Sequence, residues 1–128
     1  MRFTEGFNAE GPSEIDGVRF TPVLVATPND ATREGPYVHP RGPYPHIVEA
    51  KGRKEAVMWA VERPDGGRGF GFTGGHFHMN WQNDAFRKVI LNALCWVSKA
   101  EVPENGIDSL PVNDEEINRN LDAKKARK

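Results

Sequence analysis

Gly69-Phe-Gly-Phe-Thr-Gly-Gly-His-Phe-His-Met-Asn-Trp-Gln-Asn-Asp84 decides the fold, because it reads as a strand, then a glycine-rich turn carrying two histidines, then the start of a helix. Gly74 and Gly75 let the backbone turn sharply, and Asn83 or Asp84 can accept from the first free N–H groups of the helix that follows. In open α/β sheets ligands collect outside the carboxyl ends of the strands, so side chains at such a junction are well placed for chemistry. His76 and His78 are therefore the first candidates.

Downstream, the helix can be read at about 100° per residue. With Phe86 at zero, Val89, Ile90, Ala93, Leu94, Trp96 and Val97 share one broad arc, while Lys88, Asn92 and Lys99 group opposite. The spacing predicts a helix over 86–97 with one side on a sheet and the other in water. Cys95 falls at the edge of the polar side with no histidine at helical spacing, which reads as a half-buried small side chain rather than a nucleophile.

Upstream, Ala56-Val-Met-Trp-Ala-Val-Glu62 reads as the partner strand of 69–73, and the intervening Arg63-Pro-Asp-Gly-Gly-Arg68 predicts a hairpin. Thr21-Pro-Val-Leu-Val-Ala-Thr27 is the first buried strand, opened by Pro22 and closed by Pro28. Between Asn29 and His46 stand Pro36, Pro40, Pro43 and Pro45 with Gly35 and Gly42, which predicts a long loop without a regular element. Loops of that length in a compact domain are usually functional or disordered. Tyr37, His39, Arg41, Tyr44 and His46 lie in it, able to hydrogen-bond a polar ligand or stack on it. Proline stiffness lowers the entropy cost of holding them in place.

Beyond Ala100 the apolar pattern fades. Residues 113–128 hold only Ile117 and Leu121 as large apolar groups and end Lys124-Lys-Ala-Arg-Lys128, which predicts a short, marginal helix in a polar, weakly docked tail after a domain over 1–112. No aromatic residue accompanies the terminal basic cluster, so nucleic acid is not an expected partner. The whole chain, 128 residues with 17 basic and 18 acidic side chains, has a formal net charge of −1 and no overall field to attract nucleic acid or an anionic membrane. One cysteine excludes an internal disulfide. No apolar run approaches the roughly 20 residues that span a bilayer, and the first residues lack the apolar core of a secretory signal. As written, the chain reads as cytoplasmic.

The run Trp59-Ala-Val-Glu-Arg-Pro-Asp-Gly-Gly-Arg-Gly-Phe-Gly-Phe-Thr-Gly-Gly-His-Phe-His78, with Asn80-Trp81, Asn83-Asp-Ala-Phe-Arg-Lys88 and Ala93-Leu-Cys-Trp96, resembles the carboxyl-terminal part of ThuA-like (trehalose-utilisation) domains. Its most specific portion is the glycine–histidine turn with the downstream Asp84-x-Phe86-Arg87, and the similarity extends from about Phe3 to Asn105. The resemblance implies a class I glutamine amidotransferase-like fold, a flavodoxin-like parallel sheet with helices on both faces. It implies a role in carbohydrate metabolism of the trehalose or 3-keto-glycoside type, a small-molecule sugar as ligand, and His76 as acid/base. The nucleophilic cysteine elbow of amidotransferases has no counterpart in this sequence, so amidotransfer is not implied.

Family domains are longer, and their first half supplies the opening parallel strands and crossover helices. Met1 thus reads as an internal start and the chain as part of a sheet, with a strand edge and an apolar face to be covered by self-association or by an amino-terminal half. A longer native chain could carry an export signal.

Three readings compete for the histidines. As acid/base catalysts they suit proton transfer on a polyol or keto-sugar, since imidazole titrates near neutral pH. As metal ligands, His76 and His78 make half of a usual site and need Asp84 or His39 to complete it. As structural groups, His76 orients the turn and His78 packs beside Trp81. For the whole chain, a sugar-directed enzyme stands against a non-catalytic carbohydrate-binding or interaction module whose platform is the 37–46 loop with Trp81, and against an inactive truncated remnant. The substrate-binding candidates are Tyr37, His39, Arg41, Tyr44, His46, His78 and Trp81.

Overall fold

The computed structural model describes residues 9–35, 42–119 and 121. They form a mixed α/β structure that divides into two compact units, Met1–Phe72 and Thr73–Lys128. The first unit holds strands β1 (Ser13–Ile15), β2 (Val18–Ala26), β3 (Glu55–Glu62) and β4 (Arg68–Phe72), with helices α1 (Asp30–Glu34) and α2 (Pro45–Val48) between β2 and β3. Two 3-10 turns (Gly74–His76 and His78–Gln82), helix α3 (Asp84–Val97) and helix α4 (Asp114–Asn118) make up the second.

The strands form one sheet in the order β1-β2-β3-β4, and every neighbouring pair is antiparallel. The sheet implied by the family resemblance is parallel, so the described strands differ from that expectation. For two of the three pairs the connections explain why. β1–β2 and β3–β4 are joined by turns too short for the dozen or more residues that a parallel crossover needs.

The β1–β2 turn is Asp16-Gly17, both at positive φ (52° and 74°), the mirror-image geometry that matches strand twist. This turn starts β2 at Val18, three residues before the expected strand at 21. Pro22 consequently lies inside β2 rather than at its opening. It sits beside register irregularities between Pro22 and Leu24 and between Leu24 and Val25, where a residue without an N–H is tolerated.

The β3–β4 hairpin forms where its Asp65-Gly66 turn predicts. Gly66 N donates to Arg63 O (2.9 Å), Arg63 N to Gly67 O (2.9 Å), and Gly67 N to Asp65 Oδ1 (2.8 Å). Val61 pairs with Gly69 and Trp59 with Gly71, so on that face β4 brings no side chains beside those of β3. The Trp59 indole lies over Gly71. On the other face the row Leu24–Met58–Phe72 crosses three strands, and Met58 is buried.

Residues 29–46 contain more regular structure than their prolines suggest. Asn29 Oδ1 accepts from Thr32 N and Thr32 Oγ1 (both 2.8 Å), which caps α1, and Pro45 stands in the first turn of α2, where its missing N–H would have had no partner. Arg33 of α1 is buried, and its Nη2 donates to Arg53 O (2.7 Å) and Glu55 Oε1 (3.0 Å) at the start of β3.

Helix α3 begins two residues before the expected span because Asn83 is the cap, accepting from Phe86 N at 3.0 Å. Ala93 is buried and Cys95 half-buried, as the helical arc predicts, whereas Leu94 stays exposed. After α3 the chain runs back along it in an extended segment held by side chains. Lys88 Nζ donates to Asn105 O (3.1 Å), and Asn92 Oδ1 accepts from Ile107 N (2.9 Å). Asn113 then caps α4, whose Ile117 is 5% exposed.

Burial of apolar groups is thin. Among the described residues Ala50, Met58, Ala93 and Ile117 are the buried hydrophobics, while Val23, Leu24 and Val25 of β2 stand exposed and Val57, Trp59 and Val61 are half-buried. Among the described residues no helix is long and apolar enough to cross a membrane.

Candidate functional site

Among the described residues four side-chain hydrogen bonds hold the histidine turn and leave its tip outside. Asn80 Nδ2 donates to Gly74 O (2.6 Å) and ties the second 3-10 turn back to the first across His76. His78 Nε2 lies 2.5 Å from Ile117 O; the carbonyl only accepts, so Nε2 carries the hydrogen. Gln82 Nε2 donates to Asp114 Oδ1 (2.7 Å), and Arg87 Nη1 donates to Trp81 O (2.7 Å). The turn is thereby fastened to α3 on one side and α4 on the other.

The two histidines part company here. Among the described residues the His76 ring has no hydrogen-bond partner; it is exposed and meets the Phe77 ring edge-on at 5.1 Å. Phe77 is itself 68% exposed. His78 instead places its ring on α4, with Nε2 at Ile117 O. The Trp81 ring meets Phe86 edge-on at 5.0 Å and keeps one side exposed.

Asp84, the third member of the alternative metal set, is engaged by Arg87. Among the described residues no three His, Cys, Asp or Glu side chains come together in a way that could hold a metal ion. In the first unit Tyr44 and His46 stack at 5.8 Å with an interplanar angle of 29°, so two residues of the proline-rich loop form an aromatic pair. Tyr37, His39 and Arg41 lie outside the described residues.

Arg87 is the residue that residue-by-residue reading passed over. It is 6% exposed, and its guanidinium donates to Trp81 O, to Ser109 Oγ (2.8 Å), to Leu110 O (3.1 Å) and to Asp84. Its only signal in the sequence was its place at the end of Asp84-x-Phe86-Arg87. An open cleft of about 390 Å³ lies beside it, lined by Asp84, Ala85, Lys88, Asp108 and Ser109. Its charges are matched internally, with Lys88 Nζ 2.6 Å from Asp108 Oδ1 and Arg87 on Asp84.

Comparison of the chain with family models, curated proteins and solved structures finds no significant match.

Proposed function

We propose that this chain is the carboxyl-terminal portion of a ThuA-like domain, with a flavodoxin-like sheet completed from outside the chain, and that it acts in carbohydrate metabolism of the trehalose or 3-keto-glycoside type. His76 is its acid/base and a small-molecule sugar its ligand. The observation that supports this most is the division of labour in the turn. Of two histidines two residues apart, His78 is committed to a backbone carbonyl while His76 presents an imidazole with no hydrogen-bond partner among the described residues. Such a ring is available to take or give a proton. The exposed Phe77 and Trp81, and in the other unit the stacked Tyr44 and His46, are flat surfaces of the kind that pack against sugar rings.

The runner-up is a non-catalytic carbohydrate-binding module using those same aromatic surfaces. Isothermal titration with disaccharides and their 3-keto derivatives, run beside turnover assays, separates the two. Turnover abolished by His76→Ala supports the enzyme, binding without turnover supports the module, and neither binding nor turnover defeats both. The exposed Val23–Val25 stretch supports a further proposal, that this sheet is covered by self-association or by an amino-terminal half.

A further inference from the structure

We propose that α4 is a positioning element for the histidine turn, acting through His78 and Gln82, and that this short helix sets the order of the backbone that carries His76. The inference goes beyond the proposed function and holds whatever chemistry the turn performs. The second 3-10 turn, His78–Gln82, is only five residues long. Within it and at its end, Asn80 N donates to Phe77 O (3.0 Å) and Asn83 N to Asn80 O (3.1 Å). Runs of this type have poor hydrogen-bond geometry and rarely persist without outside support.

The support is specific. The first and last residues of the turn each reach α4, His78 through Ile117 O and Gln82 through Asp114 Oδ1. Those two acceptors lie at opposite ends of α4, whose capping Asn113 and buried Ile117 hold it in place. The turn is thus gripped at both ends by a helix about as long as itself. Asn80 passes the constraint on to Gly74 O, on the far side of His76. When α4 leaves, the turn keeps one outside attachment among these bonds, Arg87 on Trp81 O. His78 is a positioning residue on this account, since its ring acts through α4.

Backbone amide hydrogen exchange of the whole chain, read at Asn80 and Asn83 with amides in the middle of α3 as controls, tests the inference. His78→Ala should speed exchange at Asn80 and Asn83 by about five- to tenfold, the loss expected from one net hydrogen bond, with α3 unchanged. His78→Gln, whose amide nitrogen can also donate to Ile117 O, should restore much of the protection. Asp114→Ala removes the other grip without touching a histidine, and should accelerate the same two amides if His78→Ala fails to fold. Unchanged exchange at both positions in His78→Ala and Asp114→Ala overturns the inference. Because the readout is exchange rather than turnover, the result does not depend on whether any sugar is a substrate.

Discussion

The Trp59 indole occupies the space above Gly71, so that a Cβ built at Gly71 would stand 2.2 Å from Trp59 Cζ2. Alanine in place of a strand glycine ordinarily stabilises by roughly 0.5–1 kcal/mol, since glycine loses more backbone freedom on folding. At Gly71 the clash decides the sign. Gly71→Ala should destabilise by about 1–3 kcal/mol, the range for overpacking a filled site. A urea midpoint that stays put or rises would show that the indole swings away freely.

Arg87 offers a larger effect. Its replacement by Met removes a buried guanidinium and the part-buried hydrogen bonds it makes to Trp81 O, Ser109 Oγ and Leu110 O, and hydrogen bonds to charged groups contribute about 1.5–3 kcal/mol each. A loss of about 2–4 kcal/mol is expected on thermal or chemical unfolding. Lys in its place should recover little, because one ammonium cannot reproduce a planar fork reaching Ser109, Leu110 and Trp81 together.

Ile117 measures how firmly the tail begins. The sequence offers a polar stretch over 113–128 with two large apolar residues, yet one of them is buried and flanked by two side-chain bonds to the histidine turn. Ile117→Ala should cost about 2–4 kcal/mol. In differential scanning calorimetry that appears as a drop of at least about 8 °C if the midpoint moves by roughly 4 °C per kcal/mol. A shift within error would mean that α4 contributes nothing to the unit.

His76 should behave in the opposite way. Exposed and without a hydrogen-bond partner among the described residues, it can be replaced by Ala with a stability change within about ±0.5 kcal/mol. The variant therefore reports on chemistry alone, and on the proposed function loss of sugar turnover at unchanged melting temperature is the expected outcome.

The exposed β2 segment makes a solution prediction. Val23, Leu24 and Val25 form one exposed apolar run, and on the self-association proposal sedimentation velocity over a rising concentration series should show a growing larger species. Leu24→Lys should reduce it. A concentration-independent monomer in the parent chain would refute the self-association proposal.

What could be read in advance were features whose cause is local. The β3–β4 hairpin follows from Asp65-Gly66, and α3 from a 14-residue span whose apolar period is unbroken. The β1–β2 hairpin was missed because β1 is three residues long, too short for alternation to register, although Asp16-Gly17 carried the turn signal. α1 and α2 were hidden by surrounding prolines, since caps such as Asn29 are single residues rather than patterns. At the site, the prominence of the two histidines was legible and their different fates were not. His78 is fixed by a carbonyl 39 residues away in sequence, and Arg87 by partners 22 and 23 residues away. No periodicity encodes such distances.

The position of those Arg87 partners has a consequence for the order in which the chain is made. The helix that carries Arg87 is finished at Val97, but Ser109 and Leu110 leave the ribosome afterwards. Until then the Arg87 guanidinium has Trp81 O and Asp84 as partners but lacks Ser109 Oγ and Leu110 O. Small domains fold as units once their parts are present. The second unit therefore gains its last contacts late in synthesis, and a chain stopped short of Ser109 would hold a complete histidine motif without the α4 partners of His78 and Gln82.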